Sequence, residues 1–363
     1  MLQQPAIKRL LVAIPVIWFM VSAIFLLSRL LPGTYGETQL LSPEAGFYGK
    51  SLQTDRTAAY QQLLQRTGQD LPLFYISIAP LSEVHTATTF SYLVPDLEWH
   101  GTRNQYHHWA AALLTGHLGV SFTNSQPVSA LIADAAGNTF LILLVSMVLT
   151  SVLAFYAGIA MVQDTGKKWR KPMLALLVLL DSIPLFVLCL LLLLLLANPD
   201  AWQLFPVFGL GLNLHDTQSN WVTQASYMVL PVACLVLANL PYLTNQVYTS
   251  LTGTLQAGYI KTARAKGLPH AKVVTRHALR NALLPVITTL SDMLPALFAG
   301  SVVIETIFAI PGVGRLLVSS VLSRDFPVII GIVIVVALIK MVSHIVADVA
   351  YSAADPRIRA RTA

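Results

Sequence analysis

Six of the nine histidines, His85, His100, His107, His108, His117 and His215, fall in polar segments between apolar runs. A histidine-rich tract can bind metal. No HExxH helix and no CxxC pair accompanies them, so they read as solvated loop residues, and the expected metal site is none. Gly46 to Ser51, GFYGKS, looks at first like a phosphate loop, but its glycines stand three positions apart where that motif needs five. Neither a nucleophile elbow nor a paired-carboxylate pattern emerges, so the expected catalytic residues are none. No ATP site is expected on this chain.

A second group is conspicuous for where it lies. Lys340, His344 and Asp348 are spaced four apart inside an apolar run, which puts them on one helical face. Counted along their own helices, Lys340 sits roughly 16 Å from the inner end of its run, Asp292 about 15 Å and Asp181 about 12 Å above the start of theirs. A charge near mid-bilayer costs on the order of 3 kcal/mol and usually faces a bundle interior and pairs. Lys340 is therefore expected to pair with Asp292, and with Asp181 as second choice; the plain alternative is that it snorkels to water. Asp181, Asp292, Glu305, Lys340 and His344 are the candidate residues of a polar path through such a bundle.

The third group is a polar island, Thr254 to Pro285, in the apolar second half. Leu255, Tyr259, Ile260 and Ala263 recur at helical spacing, with Gln256, Lys261, Thr262, Arg264 and Lys266 on the other side. Gly267 and Pro269 stop that helix. A second pattern starts near His270, with Lys272, Arg276 and Arg280 four apart. Two short helices with a tight break form a compact knob suited to docking. Anchoring at lipid headgroups is the bland alternative.

The elements that must carry these groups are membrane spans. Of 363 residues, 55% are hydrophobic and 11% charged, with a mean hydropathy of +0.65. Soluble domains carry about 25% charged residues. The net charge of +6 would suggest nucleic acid in a soluble protein; here it follows topology, and no nucleic-acid partner is expected. Cys189 and Cys234 lie in apolar runs and read as small hydrophobes. Six spans are expected: Leu10–Leu31 as an uncleaved first span, then Asn138–Val162, Met173–Ala197, Ser226–Ser250, Ala282–Phe308 and Val328–Tyr351. Pro184, Pro231, Pro241, Pro285 and Pro295 interrupt the third to fifth, as in helices that bend around a pathway.

Lysines and arginines set the orientation. They gather at Lys8 and Arg9, at Lys167 to Lys171, in the polar island and at Arg357 to Arg361, whereas 198–225 holds none. The positive-inside rule then puts both termini and the docking loop in the cytoplasm. The expected organisation is 1–32 as N-terminal segment and first span, 33–137 as an external loop, 138–353 as a five-helix core containing a cytoplasmic loop at 251–281, and 354–363 as a tail. Alternation around Phe90 to Val94 suggests a strand within an external cap of mixed α and β.

Tyr259 to Gly267, YIKTARAKG, with Arg276 to Pro285, RHALRNALLP, resembles the cytoplasmic signature loop of the dipeptide/oligopeptide/nickel group of ABC-importer permeases. The resemblance extends to Val303 to Arg315, VIETIFAIPGVGR, to Asp355 to Arg359, DPRIR, to the opening Lys8-Arg9 and its apolar run, and to Gly116 to Val128, where His117 replaces the customary acid. Roughly Phe74 to Gln105 is extra. Ala257-Gly258 and Asn245-Gln246 also depart from the usual pattern.

The resemblance implies an all-α membrane protein, a six-transmembrane-helix type I ABC importer permease with an enlarged external loop between helices 1 and 2. It also implies a bacterial inner-membrane location. Tyr259, Lys261, Thr262, Ala263, Arg264, Lys266 and Gly267 would form the ATPase-coupling element, with small Ala263 and Gly267 permitting close approach. The implied partners are the lipid bilayer, a homologous second permease, two ABC ATPase subunits and an external solute-binding protein. No cofactor would bind this chain, and ATP and Mg would belong to the ATPases. Short peptides are the implied cargo; a nickel or other metal chelate, an antimicrobial peptide, and a non-transporting scaffold that recruits an ATPase are the other readings.

Overall fold

The computed structural model describes residues 3–30, 70–78, 97–164, 168–206 and 221–354. The expected strand at Phe90 to Val94, the GFYGKS stretch, His85, His215 and the Asp355 to Arg359 motif lie outside them. The chain divides into two compact units. One comprises Met1–Ile17, Ile132–Leu322 and Ile332–Ala363; the other comprises Trp18–Leu131 and Ser323–Gly331.

Helix dominates because backbone polar groups in hydrocarbon must be satisfied internally. The described helices are α1 (Gln3–Leu30), α2 (Gln105–Leu114), α3 (Val128–Gln163), α4 (Arg170–Asp181), α5 (Leu185–Leu196), α6 (Trp221–Thr254), α7 (Gly258–Ala265), α8 (His270–Lys272), α9 (Leu279–Ile307), α10 (Val313–Leu322) and α11 (Phe326–Ala354). A π-helical turn, Val273–Ala278, joins α8 to α9. Among the described residues, four stretches are long and apolar enough to cross a membrane: Val128–Gln163, Ala225–Thr254, His270–Ile307 and Phe326–Tyr351.

The third expected span is not one kinked rod. It breaks at Ser182–Pro184 into α4 and α5, which turn by 103°. Each half is about 18 Å long at 1.5 Å per residue, so a 103° turn leaves the outer ends of the two helices about 22 Å apart. The depth assigned to Asp181 along a straight span therefore does not hold. Pro184 sits at the N-terminus of α5 with an extended ψ of 141°, and Ile183 N–H reaches back to Leu180 O at 3.3 Å. The other four prolines are absorbed inside continuous helices, Pro231 and Pro241 in α6 and Pro285 and Pro295 in α9.

Pro295 shows how. Having no N–H, it cannot serve the carbonyl of Ser291 four residues earlier. The Ser343 hydroxyl on α11 donates to that carbonyl instead, at 2.5 Å. A proline in α9 thus creates the acceptor that ties α9 to α11.

In the smaller unit, α1 packs its aromatic face on α2. Phe25 stacks on Trp109 at 4.6 Å, and Ser22 Oγ lies 2.8 Å from Tyr106 Oη. Strands β1 (Ile76–Ile78) and β2 (Leu97–Trp99) pair antiparallel with Ile76 opposite Trp99. Asp325, only 2% exposed, fastens the loop before α3: its carboxylate accepts from Ser121 Oγ at 2.5 Å, Phe122 N–H at 3.0 Å and Thr123 N–H at 3.3 Å.

Ser343→Ala should lower the detergent-solubilised melting temperature by removing a bond worth roughly 1 kcal/mol in membrane helices. Pro295→Ala restores the missing N–H, so the Ser343→Ala loss should shrink in that background. A loss of equal size in both backgrounds would show that the hydroxyl does not substitute for the proline's missing donor.

Candidate functional site

The polar island folds as two helices with a glycine break. α6 ends at Thr254, and Leu255, Gln256 and Ala257 turn back on Leu251, Gly253 and Thr254. α7 then runs to Ala265, and its N–H groups at Lys266 and Gly267 close on Thr262 and Arg264. Gly267 has φ +74°, the left-handed conformation that favours glycine. A Cβ placed there would meet nothing within 4 Å. Glycine is therefore required by the turn, while the space beside it is open to an approaching surface.

The island has an inner and an outer side. Ile260, Val273, Val274 and Ala278 are fully buried, and Ala263 is 8% exposed. Ala263 thus faces the chain's own interior, which corrects its expected place in contact with a partner; its small size serves packing under α7. Lys261, Thr262, Arg264, Lys266, Lys272, Arg276 and Arg280 are all exposed. Tyr259 does two jobs. It is 45% exposed, and its hydroxyl accepts from Asn281 Nδ2 at 2.6 Å, bridging α7 to α9. His270 Nε2 lies 3.4 Å from Val162 O at the end of α3.

The π turn under Lys272 and Arg276 was not legible as a period. In it Leu279 N–H bonds Val274 O, five residues back. π turns concentrate at functional sites.

Glu305 lies elsewhere. It is fully buried (0% exposed), so it lines no path in this chain, contrary to expectation. Oε1 accepts from Thr139 Oγ at 2.8 Å; Oε2 accepts from Gly314 N–H at 2.7 Å and Arg315 N–H at 3.1 Å. Thr139 Oγ in turn accepts from Val313 N–H at 2.8 Å, and Asn138 Nδ2 donates to Pro311 O at 2.8 Å. The carboxyl group therefore caps the first turn of α10 from a distance, with the helix-end geometry that favours an anion. The VIETIFAIPGVGR spacing follows. A Cβ on Gly312 would stand 2.4 Å from the Glu305 carboxyl carbon, and one on Gly314 would stand 2.6 Å from Val302 Cα. Arg315 Nη1 donates to Ala309 O at 2.7 Å, across the residue that turns the chain with φ +54°.

The remaining path candidates are not gathered into a cluster. Asp181, Asp292 and Lys340 are each exposed, and no hydrogen bond or ion pair joins any two of them among the described residues. The expected Lys340–Asp292 ion pair is not formed. His344 and Asp348 are half-buried and each has a partner. Among the histidines, His107 Nδ1 lies 3.1 Å from Tyr75 Oη, His100 Nε2 lies 2.6 Å from Ser77 Oγ and His117 Nδ1 lies 3.1 Å from Thr115 Oγ. Among the described residues no three His, Cys, Asp or Glu side chains gather as a metal site. Asp325 is the residue sequence reasoning missed; the acid in Ser323-Arg324-Asp325 just ahead of a span was its only signal.

Residues 150–360 match the family described as binding-protein-dependent transport system inner membrane component. The oligopeptide transport system permease protein AppB of Bacillus subtilis is 34% identical over 255 residues, 70% of this chain and 79% of the relative. The dipeptide transport system permease protein DppB of Lactococcus lactis subsp. cremoris is 36% identical over 256 residues, 70% of this chain and 80% of the relative. A chain of the MetNI methionine ABC transporter, in inward-facing form, aligns over 60% of this chain and 95% of its own length, with TM-score 0.47 and 17% identity. The chain belongs to the family of binding-protein-dependent transport system inner membrane components.

Glu305→Ala would orphan two backbone N–H groups and the Thr139 hydroxyl, each at about 1–3 kcal/mol. The variant should lose most of its folded yield in detergent. Thr139→Val, which leaves the carboxyl in place, should lose clearly less. Equal yields for both variants would remove Glu305 from its role as the cap of α10.

Proposed function

We propose that this chain is the transmembrane permease subunit of an ATP-driven ABC importer that moves short peptides into a bacterial cell by alternating access. The cargo class rests on the relatives, which are named as oligopeptide and dipeptide transport permeases. The observation that carries the mechanism is the outer side of α7: Lys261, Thr262, Arg264 and Lys266 stand exposed on a helix whose underside is buried, beside an open Gly267. Such a knob transmits a push because it is rigid against its own chain and bare toward a partner.

In this reading the knob sits on one of two ATPase subunits. A homologous permease completes the membrane part, and an external solute-binding protein delivers cargo. ATP and Mg stay on the ATPases. α1, the bent α4–α5 pair counted as one, and the four long helices make six crossings, with both termini and the 251–281 loop in the cytoplasm and 33–137 outside as an enlarged loop.

Co-purified with its partners into proteoliposomes, the assembly should hydrolyse ATP faster when binding protein and a short peptide are added together. No stimulation would sink the transport reading. Gly267→Leu should leave the chain in the membrane and abolish that stimulation, whereas Gly267→Asn, which tolerates a positive φ, should retain most of it. Full stimulation with leucine would remove the knob from coupling.

A further inference from the structure

Asp292 and Lys340 stand at one depth on neighbouring helices. Ser343 Oγ meets Ser291 O, and the Tyr351 and Thr288 hydroxyls hydrogen-bond to each other, so α9 and α11 run antiparallel. Asp292 is one residue outward of Ser291 and Lys340 three residues outward of Ser343, a difference in level of about 3 Å at 1.5 Å per residue. Both side chains are exposed, and among the described residues neither has a hydrogen-bond or ion-pair partner.

Lipid is a poor cover for this face. A lysine has a long stem with which to reach a headgroup, but an aspartate has one methylene and no such route. Ionisable groups inside spans face a bundle interior or a water-filled cavity. Two opposite charges at one level that stay apart leave room for a ligand carrying both signs. Resting on the reading of the chain as a peptide-importer permease, we propose that Asp292 and Lys340 face the aqueous solute path. There they contact a zwitterionic peptide, Asp292 receiving its terminal ammonium and Lys340 its terminal carboxylate. They position cargo during transit, and their opposite signs select free termini over blocked ones.

The test uses the assembled transporter in proteoliposomes, with Cys189→Ala and Cys234→Ala removing the native thiols. Asp292→Cys and Lys340→Cys should each react with a charged, membrane-impermeant methanethiosulfonate, and a short peptide with its binding protein should slow that reaction several-fold. If neither cysteine reacts in the assembly, the face is covered by lipid or by the second permease and the proposal falls; reaction only in the isolated chain identifies the second permease as the cover. In a second arm, Lys340→Met should reduce uptake of a free-carboxylate peptide several-fold more than of its C-amidated form, and Asp292→Asn should do the same for free against N-acetylated peptide. Equal losses for free and blocked forms would overturn the assignment of the termini. Peptide-stimulated ATP hydrolysis by the cysteine-free parent separates the two readings: if it persists while labelling fails, this inference alone is lost.

Discussion

At three places where this chain leaves the helix, a carboxylate receives backbone amides near the break. Glu305 takes Gly314 and Arg315 at the start of α10, Asp325 takes Phe122 and Thr123 ahead of α3, and Asp164 takes Trp169 and Arg170 at the start of α4. The constraint behind this is that an unpaired backbone group in an apolar setting costs several kcal/mol, which loops in water escape. Each acid replaces the solvent that a soluble loop would use. Ser343 answers the same constraint inside a helix by serving the carbonyl that Pro295 abandons.

The same constraint explains what sequence reading recovered and what it missed. The four long spans were legible because an apolar run of about 20 residues has few alternatives in water or lipid. The α7 knob was legible because Ile260 and Ala263 alternate with Lys261, Thr262 and Arg264 at a helical period. Glu305 was misplaced among path residues because its partner Thr139 is 166 positions away, and no local pattern announces such a contact. The 103° turn was under-read because Pro184 looks like the four prolines that α6 and α9 absorb. Ser182 ends α4, and its hydroxyl turns back on Val178 O rather than across the break.

The resemblance and the physics divided the work at the polar island. Family likeness pointed to Ala263 and Gly267 together as small residues for a close approach. Burial separates them: Ala263 closes the inner side, while only Gly267 opens outward, at a φ that a β-carbon would strain. The buried side under α7 consists of Ile260, Val273, Val274 and Ala278, so the knob is keyed to the π turn, and Asn281 holds Tyr259 from the first turn of α9. A load on α7 is therefore delivered to the base of α9, the helix that also carries Asp292 and, at its far end, Glu305.

That connection bears on how a push could reach the path. α9 is continuous from Leu279 to Ile307 in spite of Pro285 and Pro295, so it can act as one lever, with its lower end tied to the knob and its upper end tied through Glu305 to α3 and α10. The Ser343 bond joins α11 to it one residue from Asp292. A tilt of α9 about that bond would turn Asp292 relative to Lys340 without breaking either end of the lever. Prolines weaken a helix where they fall, and Pro295 lies one turn outward of Ser291, so bending would concentrate at the level where the two charges stand. Asp292 stands within one turn of Pro295, and the Glu305 cap stands near the far end of the same helix.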